Sequence, residues 1–236
     1  MADELLRVEG LCAGYGASRV LDELTFSMGQ EAVSIVGRNG MGKTTLCNTL
    51  MGLVKPTAGS ITFDGERIGG LTPEKIARRG IAYIPQGRRL FPSLTVDEHL
   101  AMLAKGTKGK HWTPEAVYDL FPRLAQRRKN GGAELSGGEQ QMLAVGRALL
   151  LNAKLYLMDE PSEGLAPTIV DDLIKAVHQL IELGSAVLIV EQNLRAATSM
   201  ADRQLIMVSG RIEHETTAQV LHDDPALQKQ YLGVDA

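Results

Sequence analysis

The sequence predicts an α/β fold, and three observations lead to it. Short, continuous apolar runs bounded by glycine, proline or aspartate recur at 33–36, 81–84, 155–158, 186–190 and 205–208. Continuous apolar runs are typical of strands that are buried on both faces. Helical patterns lie between several of these runs, at 43–51, 140–151 and 169–183. This order predicts a parallel sheet with crossover helices.

Two further parts of the chain complete the predicted architecture. The first thirty residues and 60–64 have shorter, more alternating apolar patterns, which predict a small antiparallel sheet beside the core. From 87 to 132 the strand signal disappears, and four of the nine prolines fall in or beside this stretch, which we interpret as a helical insertion. We therefore predict a single domain over 1–236. Within it, 1–86 and 151–236 form the core and 87–150 form a helical subdomain.

The composition excludes several classes of function. The 236 residues carry 25 Lys+Arg against 28 Asp+Glu, a net charge of −3, which argues against nucleic acid as a partner. The basic run at 123–129 is interpreted as a solvated helix end, stopped by the glycines that follow Asn130. Cys12 and Cys47 lack the spacing of a zinc site or a disulfide framework. The acidic N-terminus and the short apolar runs predict an intracellular protein without a membrane span of its own.

A phosphate-binding motif lies between the first predicted core strand and the helix after it. The segment matches G-x-x-x-x-G-K-[ST], in which glycines let successive N–H groups point at phosphate oxygens and the helix N-terminus adds partial positive charge. We expect Lys43 to reach the β- and γ-phosphates of a nucleotide and the Thr44 hydroxyl to ligate Mg²⁺. The predicted nucleotide-binding residues here are Gly37, Arg38, Asn39, Gly40, Met41, Gly42, Lys43, Thr44 and Thr45.

Two carboxylates end the predicted strand at 155–158. Ligands of open α/β sheets bind beyond the carboxyl ends of the strands, so Asp159 and Glu160 should emerge beside the phosphates. We expect Asp159 to coordinate Mg²⁺, directly or through water, and Glu160 to polarise the attacking water.

A capping box precedes the predicted helix at 140–151. Ser136 is followed three residues later by Glu139, which is the signature of a capped helix start. The intervening Gly137 and Gly138 each cost helix stability of about 1 kcal/mol, and a cap does not need them. Bare backbone at a helix N-terminus favours the close approach of an anion, and the alternative is simply a well-capped helix.

The order of these motifs resembles the ATP-binding subunit of ABC transporters over essentially the whole chain. In that family 37–44 correspond to the Walker A loop, 135–139 to the signature motif, 155–159 to the Walker B strand and 162–166 to the D-loop. The resemblance implies that Gln86 touches Mg²⁺ and reports the nucleotide state to the membrane subunit. It also implies that Tyr15 stacks on adenine, with a core tyrosine as the alternative.

A finer resemblance is to importers of branched-chain amino acids and their relatives for urea and short amides. It is carried by 80–96, 160–167 and the ending Tyr231-Leu232-Gly233-Val234. It implies ATP hydrolysis that powers uptake through nucleotide-driven dimerisation with a second ATPase subunit, a homodimer being the alternative for the isolated chain. Polytopic permease subunits and, indirectly, a solute-binding protein are the other implied partners. The implied location is the cytoplasmic face of the inner membrane.

One position departs from the family pattern. Most members place a histidine after the strand at 186–190, whereas this chain has Gln192, a candidate catalytic residue beside Glu160. Its side chain can hydrogen-bond a phosphate oxygen but cannot exchange a proton. The five histidines elsewhere are predicted to be surface or packing residues.

Three other functions fit the sequence less well. A soluble ABC-type ATPase acting on DNA or ribosomes would resemble tandem cassettes or cassettes split by long coiled coils, and 236 residues show neither. A GTPase is opposed by the lack of Asn-Lys-x-Asp. A small-molecule kinase has no role for 136–139.

Overall fold

A computed structural model describes residues 4–105 and 110–232, so Gly233 and Val234 of the family-like ending lie outside the described residues. The strands are β1 (Leu6–Tyr15), β2 (Ser18–Met28), β3 (Ala32–Val36), β4 (Ala58–Phe63), β5 (Glu66–Arg67), β6 (Ile81–Ile84), β7 (Leu155–Asp159), β8 (Ala186–Glu191), β9 (Arg203–Val208) and β10 (Arg211–Thr217). The helices are α1 (Lys43–Leu50), α2 (Pro73–Arg78), α3 (Val96–Ala101), α4 (Pro114–Leu120), α5 (Pro122–Gln126), α6 (Gly137–Leu149), α7 (Pro167–Glu182), α8 (Leu194–Met200), α9 (Ala218–Asp223) and α10 (Pro225–Leu232), with a 3-10 turn at Gly132–Glu134.

The strands form two sheets. A six-stranded sheet has the order β10-β9-β3-β8-β7-β6, and its neighbours pair in parallel except for the antiparallel edge pair of β9 and β10. A four-stranded antiparallel sheet has the order β2-β1-β4-β5. Each of the five apolar runs lies in the six-stranded sheet, so the predicted α/β fold with a small antiparallel part is confirmed.

The six-stranded sheet is buried on both faces. Leu155 and Leu157 of β7 pack into one core cluster with α1 and the antiparallel sheet, while Tyr156 and Met158 pack into another with α6 and α7. Successive side chains of a strand point to opposite faces, so a strand between two apolar layers needs apolar residues at every position. This is the physical reason for the continuous runs.

The strand register brings the strand ends to one edge. Val36 lies opposite Glu191, Asp159 opposite Val190, and Ile84 opposite Met158. The residues that follow β3, β6, β7 and β8 therefore leave the sheet on the same side, which is where ligands bind in open α/β sheets.

Where the stretch from 87 to 132 is described, it contains the three helices α3, α4 and α5 joined by loops, and it contributes no strand to either sheet. The glycine stop predicted for its basic run is wrong. Helix α5 ends at Gln126, and Gly131 has φ −69°, outside the left-handed region. Gly132 is instead required by close packing, because a Cβ there would lie 2.9 Å from the Phe91 carbonyl oxygen. The division into core and helical subdomain at 86/87 and 150/151 stays a prediction.

Within the described part of the chain, none of the helices combines the length and the apolar composition that a membrane crossing requires.

Candidate functional site

The loop between β3 and α1 is shaped by its glycines. Helix α1 begins at Lys43, and its N-cap residue Gly42 has φ 107° and supplies no side chain to the exposed amides of the first turn. A Cβ on Gly37 would lie 2.6 Å from the Met207 carbonyl oxygen, so only glycine fits where the loop leaves β3. Gly40 also has a positive φ, of 82°. The result is a helix N-terminus whose N–H groups remain free for an anion.

Lys43 is buried at the centre of this loop. Its Nζ donates to the carbonyl oxygens of Gly37 at 2.7 Å and Arg38 at 3.1 Å, and lies 3.1 Å from Oε1 of Glu160. The amine thus contacts both the loop and the residue that follows β7. A phosphate entering this site would compete with the Glu160 carboxylate for the same cation.

Asp159 lies directly behind Thr44. The Thr44 hydroxyl donates to Oδ1 of Asp159 at 3.1 Å, and the Tyr83 hydroxyl donates to Oδ2 at 3.1 Å. Burial raises the pKa of the Asp159 carboxyl, an effect that these two hydrogen bonds oppose. Each oxygen of this carboxylate therefore has a defined neighbour, and Oδ1 is the one on the Thr44 side.

Glu160 turns the chain sharply at the end of β7. Its φ of 47° is left-handed, a conformation that costs a non-glycine residue on the order of 1 kcal/mol and that recurs at functional sites. Its amide donates to the Val190 carbonyl oxygen at 2.9 Å, which fixes the turn against β8. Its side chain accepts a 3.2 Å hydrogen bond from Nε2 of Gln86, and the same nitrogen lies 2.8 Å from Oε2 of Glu163.

These residues border a pocket of about 420 Å³ at the carboxyl edge of the sheet. Of the residues that the sequence predicts to bind nucleotide or metal, the structure brings together at its walls Asn39, Gly40, Gly42, Lys43, Thr44, Thr45, Gln86 and Glu160. The structure places the others around or away from it. Lys43 contacts the carbonyl oxygens of Gly37 and Arg38, and Thr44 contacts Asp159, on the side away from the pocket. The carbonyl oxygen of Met41 accepts a hydrogen bond from the Gly210 amide at 3.0 Å, which anchors the loop.

The signature segment starts α6 as predicted, but it does not line this pocket. The Ser136 side chain accepts from the Glu139 amide at 3.3 Å, and the Glu139 carboxylate accepts from the Ser136 amide at 2.8 Å, so the capping box is confirmed. The structure also gives the two glycines a packing role. A Cβ on Gly138 would lie 2.8 Å from the Ile169 side chain, and one on Gly137 would lie 3.0 Å from the Arg88 guanidinium.

Two predicted residues lie apart from the pocket wall. Tyr15 is 53% exposed, so the alternative of a core tyrosine is wrong. Its hydroxyl lies 3.5 Å from Nδ2 of Asn48 on α1. Gln192 is exposed and follows β8 directly, and its amide donates to the Glu191 carboxylate at 3.1 Å.

Sequence reasoning missed three residues at this edge. Tyr83 binds Asp159, Glu163 binds Gln86, and Glu191 binds the amides of two loops. A signal existed for two of them, since Tyr83 carries a hydroxyl inside a predicted buried strand and Glu191 is a carboxylate at the end of another. Buried polar groups require partners, but their partners lie far away in sequence.

The fold and this arrangement define the class: a nucleotide-binding protein with the P-loop NTPase fold. A family model described as ABC transporter matches residues 21–163. The chain belongs to this family, as one of its ATP-binding subunits, and is an ATPase.

Named relatives agree along the full length. The high-affinity branched-chain amino acid transport ATP-binding protein BraG of Pseudomonas aeruginosa is 40% identical over 97% of this chain and 100% of its own. The probable branched-chain amino acid transport ATP-binding protein LivF of Archaeoglobus fulgidus is 32% identical over 98% of this chain and 99% of its own. The lipopolysaccharide export system ATP-binding protein LptB of Haemophilus influenzae is 34% identical over 97% of both chains.

Solved structures give the same result. The ADP conformation of an ATP-binding cassette of an ABC transporter superposes with a TM-score of 0.83 at 28% identity, covering 98% of this chain and 99% of that one. An ATP-binding subunit of an ABC transporter superposes with a TM-score of 0.80 at 32% identity, covering 98% of this chain and 95% of the other.

Proposed function

We propose that this chain is the ATP-hydrolysing subunit of an importer for branched-chain or related amino acids. The observation that carries the proposal is the 40% identity to BraG over the whole length of both chains, which exceeds the 34% identity to the lipopolysaccharide export protein. The pocket supports the ATPase part, because a buried lysine, a threonine hydroxyl and the Glu160 carboxylate line it and the Asp159 carboxylate lies directly behind the threonine. An importer of urea or short amides is the alternative substrate class.

The roles of the pocket residues follow from their chemistry. Lys43 and the open amides of α1 would bind the β- and γ-phosphates of ATP. The oxygens of Thr44 and Asp159, which lie 3.1 Å apart, are the hard ligands that Mg²⁺ prefers, so the residues present fit this ion. When bound, Mg²⁺ would neutralise charge on the phosphates. Glu160 would accept a proton from the attacking water.

Other residues would complete the site from its edges. Gln86 would report the presence of nucleotide, since its amide already contacts Glu160. Tyr15 would stack on the adenine, for which its exposed ring is available. Ser136 to Glu139 would bind the ATP held by the opposite subunit, and the amides of Gly137 and Gly138, which the capping box does not engage, suit a phosphate. Gln192 would offer an uncharged hydrogen-bond donor to the γ-phosphate.

The proposed assembly has two ATPase subunits and polytopic permeases. In it, this chain pairs with a second, different ATPase subunit, and the pair acts at the cytoplasmic face of the inner membrane. A solute-binding protein delivers the substrate to the permeases. The family resemblance and the transport relatives support this arrangement.

Uptake in cells tests the substrate. A strain that lacks this chain should lose uptake of labelled leucine, isoleucine and valine and regain it with the wild-type gene. The Lys43→Ala variant should not restore uptake, since removing the phosphate-binding cation abolishes ATP binding or hydrolysis while the fold persists. Circular dichroism of the variant checks the fold. Normal amino acid uptake with lost urea uptake would favour the alternative substrate, and wild-type ATP turnover by Lys43→Ala would contradict the assigned pocket.

A further inference from the structure

Glu191, the last residue of β8, has a buried carboxylate that binds the main chain of two loops. Its Oε1 accepts from the Ser162 amide at 2.9 Å, in the turn after Glu160. Its Oε2 accepts from the amides of Gln192 at 3.1 Å and Asn193 at 3.2 Å. The residue is only 1% exposed. One carboxylate therefore ties the Glu160 turn to the Gln192 turn.

The main chain of Glu191 reaches a third loop. Its carbonyl oxygen accepts from the Gly37 amide at 3.3 Å, at the point where the phosphate-binding loop leaves β3. The parallel register places Glu191 opposite Val36, so this contact continues the sheet ladder. Three loops that border or flank the nucleotide pocket thus meet at a single residue.

The side chain is costly to bury, and its hydrogen bonds offset that cost. Burial raises the pKa of the Glu191 carboxyl, and the hydrogen bonds from residues 162, 192 and 193 oppose this effect. A carboxylate removed from water is tolerated when its oxygens are hydrogen-bonded, and loss of one partner leaves a group that destabilises its surroundings. The three amides and the carboxylate therefore hold each other in one arrangement.

We propose that Glu191 is a positioning residue for ATP hydrolysis, which keeps the turns of Glu160 and Gln192 in fixed relation to each other and to the phosphate-binding loop. The proposal rests on the proposed function, in which Glu160 activates water and Gln192 contacts the γ-phosphate. Glu191 acts through these two residues and needs no contact of its own with the nucleotide. Because a displacement of about 1 Å can cost about 100-fold in rate, a loosened turn should slow hydrolysis more than it weakens binding.

The variant Glu191→Gln breaks the hydrogen-bonded link between the two loops and hardly changes the size of the side chain. Its one carbonyl oxygen can accept from the Ser162 amide or from the amides of Gln192 and Asn193, but not from both sides. Its NH₂ group then faces backbone donors on the other side. The variant Glu191→Asp keeps both acceptor oxygens on an arm shorter by one methylene and serves as the conservative replacement.

A matched control is available at Gln204 on β9. This side chain is also fully buried and also binds main chain, since its Nε2 donates to the carbonyl oxygens of Ala197 at 3.2 Å and Ala201 at 2.6 Å. Those acceptors lie at α8 and its end, outside the loops at the pocket. The variant Gln204→Leu therefore removes buried hydrogen bonds to the backbone without releasing a nucleotide loop.

The kinetic test compares wild type, the two Glu191 variants and Gln204→Leu at matched protein concentration. ATP turnover is measured in the assembled transporter, and ATP affinity is measured on the chain alone. We expect Glu191→Gln to lower kcat about 10- to 100-fold with the Kd for ATP within about threefold, and Glu191→Asp to recover part of kcat. Gln204→Leu should lower the melting temperature without lowering kcat selectively over the affinity for ATP. A kcat of Glu191→Gln within about twofold of wild type, or losses in Gln204→Leu of the same pattern, would overturn the proposal.

Amide hydrogen exchange tests the coupling without relying on activity. In Glu191→Gln, peptides covering 160–165 and 191–195 should both exchange faster, with 37–42 also affected, while Gln204→Leu should leave 160–165 unchanged. Faster exchange confined to 191–195 would refute the link between the turns. Failure of the proposed function has a different result, namely a wild-type chain whose ATP turnover is the same as that of Lys43→Ala.

Discussion

Replacing Glu160 by glutamine should separate nucleotide binding from hydrolysis. The Glu160 carboxylate lies 3.1 Å from Nζ of Lys43, and both side chains are largely buried, with 11% and 3% of their surface exposed. An arriving phosphate must displace this carboxylate from the lysine. The substitution keeps the size of the side chain and an acceptor oxygen, but it removes the negative charge.

The magnitude follows from the kind of hydrogen bond that is lost. In the variant the contact changes from an ion pair to a hydrogen bond between the charged Lys43 and a neutral amide. Hydrogen bonds that involve a charged group span about 1.5–3 kcal/mol, and the change from the upper to the lower part of this range weakens the competition for Lys43 by about 1–1.5 kcal/mol. That difference corresponds to about tenfold tighter ATP binding. Hydrolysis should fall about 10²- to 10⁴-fold, because an amide cannot accept the proton of the attacking water.

The assay measures the Kd for ATP by calorimetry and phosphate release under steady-state conditions, at one ionic strength. Glu163→Gln is the matched control, since it removes the same charge from a carboxylate that lines the same pocket and binds Gln86 but not Lys43. We expect the control to show smaller changes in both quantities. Normal hydrolysis by Glu160→Gln would refute its role as the base, and ATP binding weaker than in wild type would refute the competition for Lys43.

Three further predictions concern residues around the pocket. Tyr83→Phe removes only the hydroxyl that donates to Asp159 at 3.1 Å, so ATP affinity should fall about 5- to 30-fold with Mg²⁺ and stay unchanged with a chelator; equal losses in both titrations would refute a role at the metal. Ser136→Arg should leave ATP binding to this chain nearly unaffected yet block turnover in the assembled transporter, and unchanged turnover there would contradict binding across the subunit interface. Gln192→Ala should slow this chain's site only modestly, since a glutamine amide brings no charge to the γ-phosphate and exchanges no proton, and the site should show little pH dependence from this residue between about pH 6 and 8. A loss as deep as that of Glu160→Gln would refute this secondary role of Gln192.

The sequence determined the parts of the molecule whose physics is local. A glycine-rich loop followed by Lys43 specifies its own backbone shape, and the left-handed φ of Gly42 is a property that the residue type allows at low cost. The capping box of Ser136 and Glu139 spans four residues and formed as predicted. The core strands could likewise be predicted from the sequence, because burial on both faces requires apolar residues at every position.

The tertiary structure alone decided which distant groups meet. The Tyr83 hydroxyl reaches Asp159 across 76 positions of the chain, and the Glu191 carboxylate reaches Ser162 across 29. These pairs depend on the order and register of β6, β7 and β8, which no local pattern encodes. The same holds for Gly138, whose lack of a side chain is required by Ile169 from another helix. The residue types predicted the chemistry of this site. The packing of the sheet decided which groups are hydrogen-bond partners, because hydrogen bonds form between groups that are close in space.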